Sequence, residues 1–341
     1  MKYKLFSEKS GLRVSELSLG AGLTGHSKHT KQDYYEIFKT YADAGGRFID
    51  TAEGYQAGKS ESLIGEFVGS DRDDFIIASK YAVGRDRTEG FAKLGNSRKA
   101  MRVAIEQSLK RLNTDYIDLY WLHAYDGTTP IDEILRGLDD LVREGKILYG
   151  GLSNFPVWKI AYGSALSTFK NYVPITAISH EYSIAERTAE YEIIPMAEEL
   201  GIGIGAWSPL GGGFLGRSIE HNFSHLPHWT ESGRPNQVDI TLKERLTAIA
   251  KEHNISVTQL AYVWLFHKAR KSVTSIVPIA GVSSVHQMKE IIEAINLTLP
   301  NEVLSELDAF SSISPIEPHN HNFHHQQMTN GVKMFKIEEP Q

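Results

Sequence analysis

The sequence predicts a (β/α)8 barrel, an inner ring of parallel strands wrapped by helices, and three observations carry that prediction. Short β-rich runs alternate with longer helical runs, eight of each. Together they occupy about 300 residues, the size such a barrel needs. The rival doubly wound sheet wants G-x-G-x-x-G directly after its first strand and does not find it. Gly201-Ile202-Gly203-Ile204-Gly205 lies before and within a strand instead.

In chain order, the residues before Leu17 (KLFSEKSGLRVSE) read as a hairpin turning at Ser10-Gly11, a cap for the barrel floor. Strands are expected at residues 17–20, 47–51, 75–80, 116–123, 147–153, 177–182, 203–209 and 275–279. Helices are expected at 33–44, 60–68, 97–112, 130–143, 156–169, 190–200, 257–268 and 284–295. The first keeps apolar residues near a 3.6 period and stops at Ala44-Gly45-Gly46. The second opens on the start signal Ser-Glu-Ser. The third (SRKAMRVAIEQSLKRL) sets Met101, Ala104, Ile105, Leu109 and Leu112 along one side, and Pro130 suits the first turn of the fourth. Residues 211–238, after the seventh strand, are the longest stretch without periodicity, with Pro227, Trp229, Pro235 and several histidines. A long loop there is expected to be functional. No repeat or linker divides the chain, so one domain is expected, with a core over residues 5–310 and a tail at 311–341.

With 341 residues, 41% of them hydrophobic, the chain can bury a barrel core. A net charge of −6 gives no electrostatic footprint for nucleic acid or an anionic membrane. No apolar run approaches the ~18 residues of a membrane span, and MKYKLFSEKSG has no signal-peptide core, which sets the expectation of a cytoplasmic protein. With no cysteine, disulfides, thiolate metal sites and cysteine nucleophiles are excluded. The tail clusters Pro318-His319-Asn320-His321 and Phe323-His324-His325. That spacing matches no standard zinc pattern, so it reads as a polar tail and no metal is expected.

Polar residues at strand ends point to chemistry. In such a barrel the C-terminal ends of the strands converge on one mouth. Asp50 with Tyr55, Lys80, and His123 fall at the ends of strands two, three and four. Singly each has an ordinary reading: a turn aspartate, a packing tyrosine, a solvated lysine, a buried histidine. Together they suit proton transfer. A Lys80–Asp50 pair beside a phenol favours phenolate and makes Tyr55 a better proton donor near neutral pH. His123 can orient a carbonyl oxygen or share the proton.

On these residues the sequence resembles the aldo-keto reductases. The match runs through DAGGRFIDTAEGY (43–55), Ser79-Lys80, SLKRLNTDYIDLYWLHAYD (108–126), GGLSNF (150–155) and AWSPLGGGFLGR (206–217). The resemblance implies an NAD(P)(H)-dependent oxidoreductase interconverting an aldehyde or ketone and its alcohol. Tyr55 would be the general acid/base, Lys80 and Asp50 its tuning pair, and His123 the group that positions the carbonyl. Ser153 and Asn154 are expected to meet the nicotinamide carboxamide, Ser179 to lie at the cofactor, and Trp207 to stack on its ring. Ser208, Leu210, Gly211 and Gly213, with Arg217, are expected at the pyrophosphate. Ser283 and Gln287 are expected at the adenosine end. Leu23, Tyr81, Tyr125, Trp207 and the loop over residues 214–237 are expected to line an apolar substrate pocket.

Two departures from the family pattern stand out. Ser179 replaces a glutamine, so its carboxamide bond is lost or passes to water or His180. The stretch PIAGVSSVHQMKEII (278–292) has no arginine for a 2′-phosphate and only Lys289 further along. NADP(H) is the family expectation and NAD(H) its alternative. A cofactor-sensing regulatory subunit, an NAD-dependent sugar or alcohol dehydrogenase, and a glycoside hydrolase drafting Glu53 or Asp126 are the other readings.

Overall fold

Residues 1–84, 90, 93–217, 237–314 and 317–320 are described by the structure, a computed structural model. A hairpin of β1 (Tyr3–Leu5) and β2 (Arg13–Ser15) comes first. Then β3 (Ser18–Gly20), β4 (Phe48–Asp50), β5 (Ile76–Tyr81), β6 (Ile117–Leu122), β7 (Ile147–Ser153), β8 (Ile175–Glu181), β9 (Gly203–Trp207) and β10 (Ile276–Gly281) close into a parallel barrel, β10 pairing back onto β3. The expected barrel and its hairpin are both present.

Strands buried on both faces read as near-continuous apolar runs, and β6 (IDLYWL) is buried at every position. The two faces still alternate with period two. On β5, Ala78 joins an inner apolar cluster, whereas Ile77 and Tyr81 face the helices. Ser79 also points outward, donating to Glu61 at 2.5 Å. The inner cluster plugs the floor: Phe6, Leu12 and Val14 from the hairpin region meet Phe48, Leu119, Trp121, Ala177 and Val277. Charged side chains are therefore left to the opposite end of the barrel.

Outside run α1 (Lys31–Asp43), α2 (Lys59–Val68), α3 (Arg98–Leu112), α4 (Ile131–Arg143), α5 (Val157–Lys170), α6 (Ile193–Leu200), α7 (Gln237–Glu252), α8 (Val257–Lys271), α9 (Val285–Ala294) and α10 (Asn301–Phe310). Helices α7 and α10 correct the strict eight-and-eight alternation. Among the described side chains of α7 only Leu246, Ile249 and Ala250 are buried, too thin a stripe to signal a helix by period. The start of α2 also differs: its N-cap is Gly58, with φ 89° and no side-chain cap. Ser60 lies inside the helix, where its hydroxyl donates to the Ala21 carbonyl at 2.8 Å. The seventh barrel strand ends at Trp207 rather than 209, because Ser208 turns left-handed with φ 54°. Positions 218–236 of the long loop, and the tail from His321 on, lie outside the described residues. Among the described residues no helix is long and apolar enough to cross a membrane, and no cluster fit to hold a metal is found.

Candidate active site

Asp50 ends β4 with Ala78 as its register partner, so Lys80 emerges two residues further along β5 on the same inward face. Both side chains are almost wholly buried. An isolated charge could not survive there, and the two form an ion pair through Asp50 Oδ1. Lys80 Nζ also donates to the Thr51 carbonyl at 2.9 Å and to the Tyr55 hydroxyl at 3.2 Å. The second Asp50 oxygen accepts the Trp121 indole N–H at 3.0 Å.

The loop carrying Tyr55 is clamped to the end of β5. The Glu53 N–H donates to the Lys80 carbonyl at 3.0 Å, and the buried Glu53 carboxylate accepts the Ala82 N–H at 3.2 Å. Residue 54 must be glycine, since a Cβ would lie 2.6 Å from the Gly84 carbonyl oxygen. His123 follows β6 directly, fixed by its N–H to the Tyr81 carbonyl at 2.9 Å. Its ring meets Tyr55 edge-on, centroids 5.7 Å apart at 84°.

Burial pushes the Asp50 carboxyl above its usual range, while Lys80 and Trp121 pull the other way. Burial disfavours the Lys80 ammonium too, yet Asp50 and then Tyr55 outweigh it and hold its pKa above the ordinary value. For His123, burial and then the Lys80 charge act together and bring the imidazole down to about 3. At neutral pH His123 is neutral.

Asp50, Tyr55, Lys80 and His123 share one wall of a cavity of about 600 Å³. Ser153, Asn154, Ser179, Trp207, Ser208, Leu210, Gly213, Arg217 and Leu23 complete much of the rest. Asn154 links the two sides. Its amide donates to the His123 carbonyl at 3.0 Å, and its oxygen accepts the Trp207 indole N–H at 3.1 Å. The Ser179 hydroxyl is buried on this wall without a hydrogen-bond partner. Beyond Trp207 the chain stays left-handed at Ser208, Gly211, Gly212 and Gly213, and Arg217 lies over Gly213, 3.3 Å from where its Cβ would stand. A nicotinamide dinucleotide fits this donor set. Ser179 offers an unspent hydroxyl, Trp207 a flat ring, and the glycine turn a close backbone approach beside a guanidinium.

Several expected residues fall elsewhere. Tyr81 is a correction to the pocket: it faces outward on β5, fully buried, with its ring stacked on Tyr120 at 5.3 Å. Tyr125 packs on Phe155 at 5.3 Å beside a neighbouring groove. His180 points into another groove, lined also by Glu181 and Tyr191, because alternation along β8 sends it away from Ser179; it cannot stand in for the missing glutamine. Gly211 shapes its turn through an N–H to the Ser208 carbonyl at 2.8 Å without lining the cavity. Ser283 and Gln287 stand outside the cavity at the start of α9, where the Gln287 side-chain oxygen accepts the Ser283 N–H at 2.8 Å. Sequence reasoning missed Glu53 as a clamp and Tyr262 on the cavity wall. It also missed Lys243, which anchors the glycine turn by donating to the Phe214 carbonyl at 2.7 Å. Glu53 carried a signal, a carboxylate inside an apolar strand-end run; Lys243 sits on the unanticipated α7. Asp126, the other carboxylate a hydrolase would need, spends its oxygens on the backbone N–H groups of Asn96, Thr128 and Thr129.

Residues 16–312 match the Aldo/keto reductase family. Among its relatives, a norsolorinic acid reductase of Aspergillus flavus is 33% identical over 321 residues, covering 90% of this chain and 80% of that protein. An aryl-alcohol dehydrogenase of Pestalotiopsis microspora is 30% identical, covering 90% and 81%. The oxidoreductase YrpG of Bacillus subtilis is 35% identical, covering 88% and 93%. With a barrel, a buried lysine–aspartate pair under a tyrosine, and a match over nearly its whole length, the chain belongs to the aldo/keto reductase family and is an NAD(P)(H)-dependent oxidoreductase that interconverts carbonyl compounds and alcohols.

Proposed function

We propose that this oxidoreductase acts on apolar or aromatic aldehydes and ketones and their alcohols, with NADP(H) as cofactor and Tyr55 as the proton donor. The observation that carries the reading is the Tyr55 hydroxyl on the cavity wall, 3.2 Å from the Lys80 ammonium. Lys80 stabilises the phenolate left as the proton goes to the carbonyl oxygen, and Asp50 keeps Lys80 charged. His123, neutral at working pH, is no proton source; it hydrogen-bonds the carbonyl oxygen and orients it.

When bound, the cofactor supplies the hydride that no side chain can. Ser153, Asn154 and Ser179 would hold its carboxamide, Trp207 its ring, and the turn at residues 208–213 with Arg217 its pyrophosphate. Ser283 and Gln287, at the capped start of α9, would meet the adenosine end. Leu23 presents an exposed apolar side chain to the cavity, which suits an aromatic substrate, and the relative named an aryl-alcohol dehydrogenase points the same way.

A panel of aromatic and aliphatic aldehydes with NADPH and NADH tests this. The expected outcome is turnover of aromatic aldehydes, with NADPH bound more tightly. Cofactor binding without turnover would leave the regulatory-subunit reading standing. Tighter NADH binding would transfer the cofactor assignment to NAD(H), the alternative raised by the lack of an arginine in residues 278–292.

A further inference from the structure

We infer that Trp121 is a positioning residue of the proton-donating half: its indole N–H holds Asp50 so that the Lys80 ammonium faces Tyr55. The assignment rests on Tyr55 as the proton donor. Asp50 has two oxygens and two partners, the Lys80 ammonium on Oδ1 and the Trp121 N–H, 3.0 Å away, on Oδ2. An indole N–H donates only and does not titrate in the working range, so it fixes a carboxylate without exchanging protons with it. An aliphatic side chain here would leave a buried carboxylate oxygen unsatisfied.

The barrel is shaped around this indole. Trp121 has no exposed surface, and its register partners are Lys80 on β5 and Gly151 on β7. A Cβ at Gly151 would stand 2.5 Å from the indole Cε3 and Cζ3 and 2.8 Å from the Ala177 carbonyl oxygen, so residue 151 gives up its side chain to the ring. The ring belongs to the inner apolar cluster, which makes a dry floor beneath the ion pair. A charge pair over such a floor acts on its neighbours with little screening.

Without the N–H, Asp50 has two courses. It keeps its full charge and cancels more of the Lys80 field, or it takes the proton of Lys80 and both groups become neutral. Either way the potential at Tyr55 becomes less positive and the phenol holds its proton more tightly. Carbonyl reduction then slows, and its decline at high pH begins later.

Trp121→Phe keeps a ring and removes the donor. We expect kcat for reduction to fall about tenfold, the worth of one hydrogen bond to a charged group. The alkaline limb of kcat moves to higher pH by about half a unit or more, while cofactor Kd stays at the wild-type value. A tryptophan that merely fills space would lower the melting temperature and leave the limb in place, and that result overturns the assignment. Should Trp121→Phe fail to fold, the 15N-labelled wild type decides. Of its five tryptophan indole N–H signals, one that exchanges slowly moves in Asp50→Asn; if none moves, the assignment fails. Failure of the Tyr55 reading looks different: Tyr55→Phe keeps its turnover, whatever Trp121→Phe does.

Discussion

The two halves of the barrel mouth use their polar groups in opposite ways. Between β4 and β6 donors and acceptors are spent on one another: Asp50 on Lys80 and Trp121, Lys80 on Asp50, Thr51 and Tyr55, Glu53 on Ala82. Between β7 and β9 the Ser179 hydroxyl is buried without a partner and the chain beyond Trp207 turns left-handed through Gly211, Gly212 and Gly213. A buried polar atom left unbonded costs about 1–3 kcal/mol, a cost that a carboxamide bound there would recover. On the proposed reading, one half is pre-set to act on a proton and the other is completed by the cofactor.

The comparison breaks most visibly at Lys80. Lys80→Met strips the ammonium from Tyr55 and leaves Asp50 buried without its counter-ion. Reduction should fall by roughly 10²-fold or more, and stability in denaturant by about 3–5 kcal/mol, as for a broken buried pair. Near-wild-type stability would mean that Asp50 is not held by Lys80. Arg217→Ala touches the other half alone. Cofactor Kd should rise about tenfold or more through loss of a charge-assisted bond, with kcat at saturating cofactor kept within about twofold; a fall in kcat without a change in Kd would contradict the division.

The smallest effect near neutrality concerns His123. Its folded pKa, about 3, lies below the ordinary 6.5, so the unfolded chain binds the proton more readily. The stability this neutral histidine contributes is intact above pH 6.5 and is lost as pH falls toward 3. The pH–rate profile should therefore show no limb near 6.5. A limb there that vanishes in His123→Gln would mean that the histidine titrates in the working enzyme.

Much of this was readable from the chain because strand ends announce themselves. Asp50, Lys80 and His123 each close an apolar run, and barrel geometry brings such ends together. Facing direction was less accessible. Tyr81 and His180 each sit one residue from a cavity-lining neighbour, and a shift of one position along a strand reverses the side a residue faces. α7 escaped because its buried stripe is thin, and the Lys243 anchor escaped with it. Trp121 lay in plain view inside DLYWLH, but an apolar run gives no hint that one indole N–H meets a carboxylate from two strands away.

The division of the mouth is tested most directly by measuring single-turnover reduction of an aromatic aldehyde and NADPH affinity on the same preparation of Tyr55→Phe. The expected result is a rate reduced by about 10²–10⁴-fold with cofactor Kd unchanged from wild type. A Tyr55→Phe enzyme that reduces the aldehyde at the wild-type rate, or one that no longer binds NADPH, would contradict the account.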